Sequence, residues 1–191
     1  MQVVSCKLSN VLRPILGVLF VAAVATAGDH VWFAVGARNE ATAGSMHGAA
    51  LLGAVGLVLG WLSGRVLAGL ATGIAAGVGG ALAYYAIAAA IGGRGMSLPA
   101  MVAAWAAVWI VLAICDGRFL RSPGVRPWGE TIMRGLTAAV VGGIAFYFMF
   151  PFFWGPESRA YSDLVKLGAW AVAWAPGILS LSSKFEVRSS K

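Results

Sequence analysis

Charge is what this chain has least of. Aspartate and glutamate together number seven in 191 residues and charged residues of both signs make up 11%, where a soluble domain carries about 25%. A water-facing surface cannot be assembled from so little charge, so a soluble globular fold is excluded. Cysteine is limited to Cys6 and Cys115, which form neither a C-x-x-C pair nor a disulfide framework, and both are expected as free thiols. Histidine is equally scarce, with His30 and His47 only. No glycine loop followed by Lys and Ser or Thr is present, no G-x-S-x-G, no H-E-x-x-H, and no pair of carboxylates in mid-run. These gaps weigh against an ATP-driven machine, a self-contained hydrolase and a proton pump built on paired acids.

What fills the chain instead is apolar: 60% of the residues, with a mean hydropathy of +0.83. The net charge of +7 could point to nucleic acid, but the basic residues sit in short caps between apolar runs and form no stripe on one face. Lipid headgroups are the expected counter-ions, and no nucleic-acid partner is expected.

The stretch around which the rest is organised carries glycine at Gly56, Gly60 and Gly64, and again at Gly69, Gly73 and Gly77, with Arg65 between the two sets. Glycine at i, i+4 and i+8 leaves a groove down one helix face, the small-xxx-small pattern by which membrane helices approach closely. Arg65 is the only charged residue from 41 to 93. An uninterrupted helix of that length far exceeds the ~20 residues that cross a bilayer, so a turn is expected at Ser63 to Arg65, giving a tight hairpin, groove against groove.

Charge-free intervals cover residues 41–64, 66–93, 95–115, 135–156 and 167–183. All reach the ~17–25 residues of a membrane span. Ahead of them, Pro14 and the apolar run from Ile15 open a first helix. That run could also be the h-region of a signal peptide ending at Ala25-Thr26-Ala27. An uncleaved helix is favoured. The expectation is an all-α integral membrane protein with one transmembrane domain over residues 1–191 and helices at about 14–37, 43–63, 66–91, 97–115, 132–154 and 164–182, arranged as three hairpins.

Positive charge sets the orientation. With the N-terminus inside, ten basic residues (Lys7, Arg13, Arg65, Arg118, Arg121, Arg126, Arg134, Lys184, Arg188, Lys191) face the cytoplasm, against Arg38, Arg94, Arg159 and Lys166 outside. Both termini are therefore expected in the cytoplasm, and the location is the inner membrane. A direct duplication is also indicated. A shift of 63 residues superposes Gly79, Gly80 and Tyr84 on Gly142, Gly143 and Tyr147, and a shift of 65 superposes Trp105 and Trp109 on Trp170 and Trp174. Glycine and alanine are abundant here and raise the background of such matches.

Four features could carry chemistry. Asp29, His30, Arg38, Glu40 and His47 cluster toward the outer side; Asp29 lies about 21 Å along a helix from Ile15, below the surface of a ~30 Å core, and needs a partner at that depth. Imidazole and carboxylate could bind a metal or relay protons. The plainer reading pairs Asp29 with Arg38 or solvates it at the interface. The tryptophan pairs Trp105/Trp109 and Trp170/Trp174, each at i, i+4, could wall a site for a quinone, a lipid tail or an organic cation. The plainer reading packs them against the glycines at 79–80 and 142–143. The segment 116–134 carries Arg118, Arg121, Arg126 and Arg134 among apolar residues, suited to anionic headgroups or to fixing topology alone. The aromatics of 146–161 suit an interfacial belt.

No cofactor or metal is specified by these patterns. The function ranked first is a small permease-like or lipid/small-molecule-handling module, with Asp29, His30, Glu40, His47, Trp105, Trp109, Trp170 and Trp174 as candidate ligand contacts. A non-catalytic subunit of a larger membrane complex follows, then a metal- or haem-dependent enzyme using the outer cluster. Homo-oligomers or membrane-complex partners are compatible with the first two.

Overall fold

A computed structural model of the protein describes residues 2–35, 40–92, 98–120, 126–154 and 157–182. Among these the regular elements are all helical: α1 (Gln2–Val35), α2 (Glu40–Ser63), α3 (Val66–Ala90), α4 (Leu98–Cys115), α5 (Trp128–Trp154) and α6 (Asp163–Ser182), with a π-helical turn at Asp116–Leu120 and a 3₁₀ turn at Ser158–Ala160. All six α-helices contain a stretch long and apolar enough to cross a membrane. The surface agrees with lipid as solvent. Leu67, Leu164, Phe148, Met133 and Val140 are each more than half exposed, which in a water-soluble monomer would make large apolar patches.

Glycine-rich α3 would be a poor helix in water, where each internal glycine costs about 1 kcal/mol relative to alanine. In hydrocarbon a freed backbone N–H or C=O finds no water, so the helix is retained. It ends at Gly92 (φ +68), and α2 ends at Gly64 (φ +76), each in the left-handed region that glycine enters without a steric cost. At the second of these the Arg65 N–H donates to Gly60 C=O at 2.7 Å, closing the last turn of α2.

The two helices joined there meet backbone to backbone. A Cβ placed on Gly56 would lie 2.7 Å from Gly73 Cα, one on Gly69 would lie 2.6 Å from Gly60 Cα, and one on Gly77 would overlap the carbonyl of Gly48. No side chain fits between them. Around the rest of the molecule, consecutive helices are neighbours and α6 packs against α1, so the six form a closed ring.

The boundaries differ from the sequence expectation most at the starts of α1 and α5. α1 begins at Gln2 and runs through Pro14, whereas Pro14 was expected at the helix start; proline forfeits one backbone bond inside a helix but does not end this one. α5 begins at Trp128, not near 132, because the Pro127 carbonyl accepts from both the Thr131 N–H and its hydroxyl at 3.0 Å, fixing the first turn. The expected loop over 116–134 is shortened further by the π-turn that prolongs α4.

The two halves of the ring are filled differently. Toward the Arg65 end, Val55, Val58, Leu59, Leu112, Leu120, Ile178 and Leu181 are buried and close the interior. The π-turn seals that end, packing on α2 and α3, and Arg65 Nη1 donates to Phe119 C=O at 2.7 Å. Toward the Arg159 end the interior is hollow.

Candidate functional site

The hollow half holds a cavity of about 550 Å³ to which all six helices contribute. From α1 comes Trp32; from α2, His47, Leu51 and Leu52; from α3, Ala81, Tyr84 and Tyr85; from α4, Met101, Ala104, Trp105 and Val108. Phe146 and Trp154 of α5, Ser158 and Arg159 of the 3₁₀ turn, and Trp170 and Trp174 of α6 complete the wall. Its deepest residues, Leu52, Gly77, Val108 and Trp174, lie about 15–20 Å along their helices from the Arg159 end at ~1.5 Å per residue. That reaches the middle of a ~30 Å hydrocarbon core.

The floor is built from the two tryptophan pairs, which converge. Trp105 and Trp174 have centroids 4.4 Å apart, Trp109 and Trp174 5.8 Å, and Trp105 stacks on Phe146 at 4.3 Å. Trp170 stacks flat on Phe153 at 3.7 Å. Trp105, Trp170 and Trp174 line the cavity, while Trp109 stands behind them, fully buried. The glycines that seat them are only partly the ones expected. Gly142 faces the indole nitrogens of Trp105 and Trp109, and Gly177 takes the Trp109 ring; Gly79 and Gly143 face open space, and Gly80 meets Val108.

Asp29, only 1% exposed, accepts a 2.8 Å hydrogen bond from Trp170 Nε1 on its Oδ2. The buried Lys166 supplies a compensating positive charge. A buried carboxylate requires such partners. The expected partner was Arg38 or interfacial water; Arg38 lies outside the described residues, and the hydrogen bond found goes to Trp170 across to α6. His30, facing another way, is exposed and pairs with Asp163 at 2.8 Å. Two polar links thus join the ends of α1 and α6.

His47 stands apart from both. Its ring packs against Gly28 and between Trp32 (5.6 Å) and Trp154 (6.4 Å), on the cavity wall, with Nε2 buried and without a hydrogen-bond partner. The outer cluster is therefore not one site: Asp29 holds a wall residue, His30 holds α6, His47 lines the cavity, and the side chain of Glu40 lies outside the described residues. Among the described residues no group of three or more His, Cys, Asp or Glu could hold a metal ion.

At the opposite end the arginines expected at headgroups divide. Arg126 pairs with Asp116 Oδ2 at 3.2 Å and with Glu130 Oε1 at 3.3 Å, both it and Asp116 being buried. Arg134 grips the same Glu130 oxygen at 2.8 and 2.9 Å and donates to Ser180 C=O at 3.1 Å. These two arginines are turned inward and neutralised by carboxylates. Arg118 lies over the Trp128 ring, 3.4 Å from its centroid, and Arg121 is outside the described residues.

Sequence reasoning missed Tyr84, Tyr85, Trp32 and Arg159 as cavity residues. Two tyrosines inside an apolar span are a usable signal, because a phenol in hydrocarbon seeks a partner for its hydroxyl. Comparison with protein-family models, with curated proteins and with solved structures finds no match.

Proposed function

We propose that this multi-pass membrane protein is a small permease-like module that takes a lipid or other largely apolar small molecule into its central cavity. The cavity carries the reading. It lies in the size range of ligand sites, and it is walled by aromatic and aliphatic side chains with a few polar groups. An accessory subunit would more simply have a filled interior. The metal- or haem-dependent reading gains no support from His30 and His47, which are held apart by Asp163 and by Trp32 and Trp154.

On this reading the protein sits in the inner membrane as three hairpins with both termini in the cytoplasm, following the ten-to-four distribution of basic residues. The glycine contact between α2 and α3 serves as the fixed wall, and the cavity opens to the non-cytoplasmic side. A duplicated hairpin origin for the last four helices is part of the proposal. The aligned Trp105 and Trp170 both reach the cavity, although Gly79 and Gly142 have come to face different surroundings.

Native mass spectrometry after gentle extraction from membranes tests it. The wild type is expected to carry a bound molecule of a few hundred daltons, and Ala104→Phe or Ala81→Phe, which fill the cavity, to lose it. No adduct, or the same adduct on both variants and wild type, contradicts the reading.

A further inference from the structure

Resting on that reading, we infer that the ligand is an uncharged, flat conjugated ring compound bearing carbonyl oxygens, the chemistry of a quinone, with one carbonyl turned to the indole N–H groups of Trp105 and Trp174. Three observations converge on it.

The first is a set of hydrogen-bonding groups left without partners on the cavity wall. Trp105 and Trp174 both line the cavity, and Nε1 of each is buried and makes no hydrogen bond. Trp174 as a whole is only 1% exposed. An indole N–H can only donate, and a buried donor left unpaired is costly, so what suits this wall is an acceptor. His47 Nε2, also on the wall, is buried and unpartnered as well, and with the proton on that nitrogen it serves a second acceptor. Trp170 is outside the set because its N–H goes to Asp29, and Trp109, whose N–H is likewise unpaired, does not line the cavity. At ~1.5 Å per residue His47 and Trp105 lie about 10 Å, and Trp174 about 16 Å, along their helices from the Arg159 end. That is hydrocarbon depth, where a lipid tail brings methylenes and no acceptor.

The second is charge. Among the described residues lining the cavity, Arg159 is the only one with a permanent charge and none is acidic. Arg159 already has an interaction partner of its own, as do Tyr84 and Tyr85. Asp29 does not line the cavity, and its Oδ2 is taken by the Trp170 indole. An ion of either sign would enter without an uncommitted counter-charge, which burial penalises heavily. A neutral acceptor meets no such penalty.

The third is the shape of the wall. Every helix places a ring on it: Trp32, His47, Tyr84, Trp105, Phe146 and Trp174 are one from each, in chain order. Ring faces and edges attract a flat π-system beyond the area it buries, whereas a flexible chain gains the area alone. Between the rings, Gly77, Gly80 and Ala81 of α3 keep the wall low. The volume of about 550 Å³ holds a fused-ring compound with its substituents.

Equilibrium dialysis of the full chain in phosphatidylcholine nanodiscs, with empty nanodiscs subtracting partition into lipid, tests the inference. The probes are a dimethylnaphthoquinone substituted at both open quinone carbons, so that Cys6 and Cys115 do not add to it, the dimethylnaphthalene of the same outline, naphthoate as anion and methylquinolinium as cation. The quinone is expected to bind saturably and about tenfold tighter than the hydrocarbon, the size of effect one or two hydrogen bonds give, and neither ion to bind saturably. Trp105→Phe and Trp174→Phe in one molecule keep two rings and remove both donors, and bring the quinone down to the hydrocarbon's affinity. The infrared carbonyl stretch of the bound quinone gives a readout that packing alone does not move. A band lowered by hydrogen bonding is expected in the wild type and is lost in the double variant; should that variant not fold, the wild-type band decides, its absence overturning the inference. Equal binding of quinone and hydrocarbon with an unshifted carbonyl overturns the acceptor while cavity binding stands. An ion that binds more tightly than the quinone overturns the uncharged ligand. If none of the four binds saturably the inference fails; an adduct in the native mass spectrum then keeps the wider reading with a ligand of other chemistry, and no adduct ends both.

Discussion

At the scale of the residue, the molecule is governed by where a side chain can be absent. Gly56, Gly69 and Gly73 admit no Cβ because the opposing atoms are backbone, which cannot rotate away. Gly56→Leu is expected to cost about 3 kcal/mol or more, at or beyond the usual range for overpacking, and to lower the unfolding midpoint in detergent sharply. Gly79→Leu, on the partner helix α3 but facing open space, should leave the midpoint nearly unchanged; equal losses would refute the backbone contact. Asp29 gives a second residue-scale test. Asp29→Leu orphans the Trp170 N–H, a loss of about 1–3 kcal/mol, whereas Asp29→Asn keeps an acceptor and most of the stability. If the two variants melt alike, the hydrogen bond does not matter.

At the scale of the element, the Arg65 end is tied together by charge. Asp116 on the π-turn, Arg126 ahead of α5, Glu130 and Arg134 within it, and the Ser180 carbonyl of α6 form one chain of contacts. Removing one member of a buried pair leaves the other uncompensated, so Arg126→Met should destabilise by about 3–5 kcal/mol, with Asp116→Leu added in the same molecule recovering much of it. Thermal unfolding of the two singles and the double decides this; additive losses would show that the pair is not coupled. This network also marks what the sequence could and could not tell. That there are six apolar helices was legible in the long charge-poor runs, because length is what a bilayer asks of a span, whereas the starts of α1 and α5 were not. The partners of Arg126 and Arg134 were not, since Asp116 is ten residues from Arg126 and nothing local distinguishes an arginine facing lipid heads from one facing a carboxylate.

At the scale of the whole molecule, six helices close a ring whose interior is solid at one end and hollow at the other. Sequence periodicity identified the tryptophan pairs and the buried depth of Asp29, but not their meeting. Trp170 must cross to α1 to reach Asp29, and Trp105 must cross to α6 to reach Trp174. Those contacts depend on the order of helices around the ring, which no single helix encodes. Single-cysteine accessibility tests the central proposal, a cavity entered from the Arg159 end, most directly. With Cys6 and Cys115 replaced by serine and single cysteines placed at Arg159, Ala81 and Phe119, intact cells are treated with a small membrane-impermeant thiol reagent. The account predicts that positions 159 and 81 react from outside and that 119 reacts only after the cytoplasmic face is exposed. Labelling at 119 in intact cells, or protection at 81 while 159 reacts, would contradict it.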